Sequence, residues 1–306
     1  MIRDPGHYDY WPYIDRPKLT WPEGKKIAFW VAPNIENYEF APPLNPHRRA
    51  MPRPLPDVIH YSHRDYGNRA GFWRMLEAMD AYDVRGSVSL NVATLDHHPE
   101  VIEECKKRDW EFFSHGIYNT RYLSSLSEDE ERDFYVDCVE TLRRHTGQQL
   151  RGMLGPAVSN TIRTPDLMAD AGLTYHADWL HDDQPIPIHV EKGRLVSVPY
   201  SIELNDVPVF LHHYDTDDFV AMVKAQFDTL YEEGAVSGRV MALALHPYLM
   251  GMPHRIDGLE EILDYLLGHD LVWQTTASEI ADYFLDHYYD QFVEHAASIN
   301  EVPHAR

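Results

Sequence analysis

The chain has 306 residues, enough for one large barrel or for two ordinary domains. Its 49 acidic side chains outnumber 27 lysines and arginines, giving a net charge of −22, and so acidic a surface repels phosphate backbones and anionic lipid. Nucleic acid and membranes are therefore not expected as partners. No apolar run reaches the roughly 18 residues of a membrane span, and Cys105 and Cys138, without CxxC spacing, support neither a disulfide framework nor a thiolate zinc site.

Residues 1–25 are rich in Pro, Tyr and Trp and read as an ordered N-terminal arm. Lys26–Ala32 (KIAFWVA) is a buried strand by its short apolar, β-forming run. Prolines 42, 43, 46, 52, 54 and 56 leave no regular element between them, so 42–56 is a long excursion carrying His47, Arg48 and Arg49. Gly71–Tyr82 has helical spacing at Phe72, Leu76 and Met79, and Gly86–Val92 follows as a strand. Pro99–Arg108 is a helix with Pro at its first position, and Glu111–Ser114 is the next strand. Ser127 to Glu130 reads as a capping box opening a helix to about His145. Short strands at Gly152–Leu154, Thr174–Ala177 and Val196–Pro199 frame a helix at Thr164–Ala171. Helix Asp217–Glu233, strand Val240–Leu245, helix Gly258–Leu267, strand Leu271–Gln274 and helix Ala277–His287 complete the pattern. Strands alternating with helices predict a parallel sheet with crossover helices, and seven or eight strands favour closure into a (β/α) barrel. The expected organisation is one catalytic barrel domain over 26–290, with residues 291–306 as a C-terminal tail.

Four chemically useful side chains fall at strand ends: Glu36, His115, Asp178 and His246. In a (β/α) barrel these ends share one rim, so residues distant in sequence meet there. Together they offer the acids, bases and donors needed to add water to a carbonyl. His212 and His213 also follow an apolar stretch and are weaker candidates among 19 histidines.

The segments Asn34-Ile35-Glu36-Asn37, Tyr66-Gly67-Asn68-Arg69-Ala70-Gly71, Ser114-His115-Gly116, Tyr175-His176-Ala177-Asp178-Trp179 with Asp182-Asp183, Val198-Pro199-Tyr200-Ser201 with Asn205-Asp206, and Leu245-His246-Pro247 occur in that order. On them the chain resembles the polysaccharide deacetylase-like superfamily, most of all its branch of purine-utilisation allantoinases and cyclic imide hydrolases. The resemblance implies a distorted (β/α) barrel that hydrolyses carbon–nitrogen bonds. In the sugar deacetylases the first motif supplies a base and a metal ligand, and the second reads His-x-x-x-His. Here Glu36 falls on the base position, but the ligand position is Asn37 and the second histidine is Asn119. Amides are poor ligands for zinc. The resemblance therefore points to a metal-free hydrolase of a cyclic ureide or imide, with a metal-dependent N-deacetylase of an acetylated sugar as the alternative. In that alternative Glu36 and His115 would hold a divalent metal such as zinc.

The implied mechanism gives catalysis to Glu36, His115 and His246. Glu36 or His115 takes a proton from water, and His246 polarises the carbonyl or protonates the leaving nitrogen. Asn37, Asn119, Asp178, Trp179 and Asn205 hold the substrate's N–H and C=O edges. A basic role near neutral pH asks burial to raise the Glu36 pKa. The remaining expectations are a cytoplasmic protein, a small-molecule substrate and a homo-oligomer.

Overall fold

A computed structural model describes residues 6–10, 12–43 and 54–300. Most of the proline-rich excursion, with His47, Arg48 and Arg49, lies outside the described residues.

Strand β1 (Ile27–Ile35) is buried along its whole length and organises the sheet. Its residues are apolar on both faces up to Pro33, as a parallel strand covered on both sides requires. One edge pairs in parallel with β8 (Arg239–Leu245), from Ile27 opposite Arg239 to Pro33 opposite Leu245. The other edge is divided. β9 (Val272–Gln274) takes Ile27 to Phe29, and β2 (Ser87–Leu90) takes Asn34 and Ile35. The sheet then runs in parallel through β3 (Glu111–Ser114), β4 (Gly152–Met153), β5 (Tyr175–His176) and β7 (Leu195–Ser197). β6 (Ile186–Ile188) is added antiparallel at the far edge.

The barrel closes across irregular backbone. Val240 N–H donates to Asp183 O at 2.8 Å and Ala244 N–H to Leu204 O at 3.0 Å, so two loops join β8 to the far side of the sheet. This seam, with the split edge of β1, is the distortion of the barrel. Alternation along β1 separates two cores. Ala28, Trp30 and Ala32 face inward with Phe113, Tyr175, Val196 and Ala242, while Ile27, Phe29 and Val31 face the surrounding helices.

Eleven helices cover the sheet among the described residues: α1 (Val58–Tyr66), α2 (Phe72–Ala81), α3 (Thr94–His97), α4 (Pro99–Lys107), α5 (Glu128–Thr146), α6 (Thr164–Asp170), α7 (Asp206–Leu211), α8 (Thr216–Glu233), α9 (Ile256–Leu267), α10 (Ala277–His287) and α11 (Tyr289–Asn300). The capping box expected at Ser127 is formed, with both Ser127 and Glu130 side chains engaged. Four helices are not evident from sequence pattern, among them α3, a single turn of four residues. α1 buries none of its residues fully, so it lacks a clean apolar stripe. α7 is only six residues long and contains Pro208. α11 continues the chain through the segment expected as a tail, with Phe292 and Ala296 in the inner core. No helix among the described residues is long and apolar enough to cross a membrane.

Candidate active site

Glu36 follows the last residue of β1 and is buried, at 4 % exposure. It is approached from one side by the segment joining α1 to α2. There the helix passes through a π-turn, Gly67–Gly71, and Asn68 Nδ2 donates to the Glu36 carbonyl at 3.0 Å. Glycine at 71 lets this turn press on the loop after β8, because a Cβ there would collide with the Pro247 carbonyl. The close approach brings Arg64 into the site. Its Nε donates to Glu36 Oε2 at 3.0 Å and its Nη2 to the Tyr248 hydroxyl at 3.0 Å. The guanidinium lies 4.2 Å from the ring centroids of both Tyr38 and Tyr248.

His115 follows β3. Its Nδ1 lies 2.9 Å from the Leu154 carbonyl, which only accepts, so Nδ1 carries a proton. In the neutral ring the lone pair is then on Nε2, which faces Glu36 Oε1 at 3.7 Å. Asn91 ties the ends of the first strands together: its Nδ2 donates to the His115 carbonyl, and its Oδ1 accepts from Asn37 N–H at 2.8 Å.

His246 follows β8, with Nε2 3.4 Å from the same Glu36 Oε1. Asp206, at the start of α7, accepts from His246 Nδ1 at 2.6 Å and from its backbone N–H at 2.8 Å. Asn205 caps α7 by accepting from Val207 N–H at 2.9 Å, and its backbone bridges to Ala244.

These contacts set the charges. Burial pushes Glu36 up, but the Arg64 guanidinium and the facing His115 and His246 rings outweigh it and hold the carboxyl well below the usual range. The expectation of a raised Glu36 is thus overturned, and the cause is Arg64. Burial pulls His246 down, yet Asp206 and then Glu36 raise it to about 9, so this ring is an imidazolium at neutral pH. Two anions, Glu36 and Asp206, face two cations, Arg64 and His246.

The other expected residues divide into two sets. Asn119 N–H donates to the Asn37 carbonyl at 3.1 Å, which joins the backbone segments that follow Glu36 and His115. Asn37 Nδ2 and Asn119 Oδ1 are buried without a hydrogen-bond partner. Asn37 also lines a cavity of about 420 Å³ with Tyr38, Tyr61, Asn68, His97 and Tyr118, which Glu36, His115 and His246 do not line. Asp178, Trp179 and Asn205 are engaged by the protein itself. Asp178 accepts from Gly155 N–H at 2.6 Å and Asn160 Nδ2 at 3.1 Å, and burial pushes it to about 6. Trp179 is edged by the rings of His7, Tyr8, His176 and His181. His212 and His213 are exposed beyond the end of α7.

Arg64 and Asp206 are members of the charge cluster that the sequence alone does not single out. Asp206 stands inside a segment that carries the resemblance, and Arg64 lies two residues before another. No group of three His, Cys, Asp or Glu side chains is arranged for a metal among the described residues. The donor chemistry agrees: Arg64 already neutralises Glu36, and the two further ligand positions are the amides of Asn37 and Asn119. These residues do not fit a divalent cation.

Residues 58–176 match the polysaccharide deacetylase family. A Schizosaccharomyces pombe protein whose name places it among the polysaccharide deacetylases is 27 % identical over 246 residues, 75 % of this chain and 77 % of that one. The crystal structure of a probable polysaccharide deacetylase from Pseudomonas aeruginosa superposes with a TM-score of 0.79 at 27 % identity, covering 89 % of this chain and 95 % of that one. PuuE allantoinase superposes with a TM-score of 0.78 at 26 % identity, covering 89 % and 94 %. The chain therefore carries a polysaccharide deacetylase domain and belongs with the carbon–nitrogen hydrolases built on this fold.

Proposed function

We propose that the chain opens a cyclic ureide or imide by metal-free hydrolysis of a ring carbon–nitrogen bond. The observation that carries this reading is the charge cluster of Glu36, Arg64, His246 and Asp206, with two buried unpartnered amides on the segments that follow Glu36 and His115. A carboxylate held as low as Glu36 is a weak base. The proton of the attacking water is therefore assigned to His115 Nε2, while Glu36 orients the water and stabilises the imidazolium that forms. The water oxygen bonds to the ring carbonyl carbon. The His246 imidazolium donates first to the carbonyl oxygen and then gives its proton to the leaving nitrogen as the C–N bond breaks. Asn37 Nδ2 and Asn119 Oδ1 supply one donor and one acceptor, the alternation that a ureide edge presents.

A second reading, N-deacetylation of an acetylated sugar, is favoured by the family match. Turnover of a panel of cyclic ureides, cyclic imides and N-acetylated sugars, before and after chelation, separates the two. Ring opening that survives chelation supports the first reading; deacetylation that chelation abolishes replaces it. Assembly into a homo-oligomer is also proposed, and light scattering at working concentration tests it.

A further inference from the structure

The peptide between Leu154 and Gly155 is gripped at both ends by polar side chains. Its carbonyl accepts from His115 Nδ1 at 2.9 Å, and its N–H donates to Asp178 Oδ1 at 2.6 Å. A peptide is planar, with its C=O and N–H pointing in opposite directions. Fixing the N–H therefore fixes the direction in which the carbonyl points.

We propose that Asp178 is a positioning residue for His115: through this peptide it holds the ring with Nδ1 protonated and Nε2 turned to Glu36. This rests on the reading of His115 as the group that takes the water's proton.

Three further observations support the arrangement. The turn that follows is strained, because Ala157 and Val158 have φ of 55° and 54°, the left-handed region unfavourable for residues with a Cβ, although Val158 N–H donates to the Gly155 carbonyl within it at 2.8 Å. Asn160, past that turn, donates to Asp178 Oδ2 at 3.1 Å, so one carboxylate spans the turn from Gly155 to Asn160. Leu154 N–H is engaged by the Ser114 carbonyl at 2.8 Å, which leaves the next peptide plane as the free variable that Asp178 sets. The carboxyl is also costly where it stands. Burial drives it up to about 6, so a residue that merely filled space would be better uncharged.

The test compares Asp178→Ala, Asp178→Asn and Asn160→Ala with the unaltered protein by ¹⁵N NMR of the His115 ring, assigned with His115→Gln. The expected result for Asp178→Ala is a shift of His115 from the Nδ1–H toward the Nε2–H tautomer. Turnover should fall about tenfold to a hundredfold with KM changed by less than about threefold. Asp178→Asn keeps one acceptor for Gly155 N–H and should recover part of both. Should Asp178→Ala fail to fold, Asn160→Ala, at a less buried site, should shift the tautomer in the same direction by less. A folded Asp178 or Asn160 variant whose His115 spectrum and kcat match the unaltered protein overturns the proposal. The tautomer is read without substrate. An unaltered protein inactive on ureides would therefore sink the proposed reaction, while the His115 spectrum alone would still decide for or against the role of Asp178.

Discussion

Asp206 holds His246 with both carboxylate oxygens, one on ring Nδ1 at 2.6 Å and one on the backbone N–H at 2.8 Å. The pair fixes the ring's orientation and its charge together. Asp206→Asn should keep the backbone contact, lose the ionic one and lower the His246 pKa from about 9. Activity is expected to fall about a hundredfold or more, as for loss of a general acid.

The pH profile follows from the same pair. Because the folded His246 value lies above that of the free side chain, its stabilisation is complete below about 6.5 and is lost as pH rises through about 9. The alkaline limb of kcat/KM should therefore lie near 9 and move to lower pH in Asp206→Asn. Asp178 acts with the same sign in a lower window. Its carboxyl is also raised, so stability declines as pH climbs from the ordinary aspartate value of about 4 through about 6. Denaturant titrations at several pH values measure both trends.

Glu36→Gln keeps the shape of the site but removes the charge that Arg64 and His246 face. Turnover should fall by about 10² to 10⁴, with circular dichroism unchanged. Full activity in this variant would exclude Glu36 from the chemistry.

Arg64→Ala leaves the Glu36 carboxylate buried without its guanidinium. Removing one member of a buried pair costs about 3–5 kcal/mol, so the unfolding midpoint should drop clearly and Glu36 should titrate at higher pH. Thermal unfolding and the acid limb of activity report the two effects separately.

Gly71→Ala forces a methyl against the Pro247 carbonyl, one residue beyond His246. Such overpacking costs about 1–3 kcal/mol, and here the strain falls on the loop that carries His246. Both the melting temperature and kcat should decrease.

The candidate rim is legible in the sequence because strand ends are. A short apolar run that stops at a polar residue marks a rim position, and Glu36, His115 and His246 each follow such a run. Their convergence on one carboxylate oxygen follows from parallel strands closing into a barrel. Arg64 gives no such signal. It sits on a helix whose apolar residues stay partly exposed, and close contacts of the Gly67–Gly71 turn with Pro247 and Tyr248 accompany its approach to Glu36. The Glu36 charge state is hidden for the same reason: burial alone raises a carboxyl, and the cation that reverses the sign comes from a contact no periodicity encodes. Asp178 stands at a strand end like the others, but its neighbours are a backbone amide and Asn160 rather than an open pocket.

The pairing of β1 also bears on how the chain reaches its active form. Ile27 pairs with Arg239, 212 positions later, and β9 joins the same strand later still. During synthesis β2 can cover the end of β1 early, but the edge from Ile27 to Pro33 waits for β8 until most of the polypeptide has been made. Contacts of such long range are slow to form and leave aggregation-prone intermediates. Nascent or truncated chains ending before β8 should thus be catalytically silent clients for chaperones, since β8, which covers Ile27 to Pro33, also delivers His246.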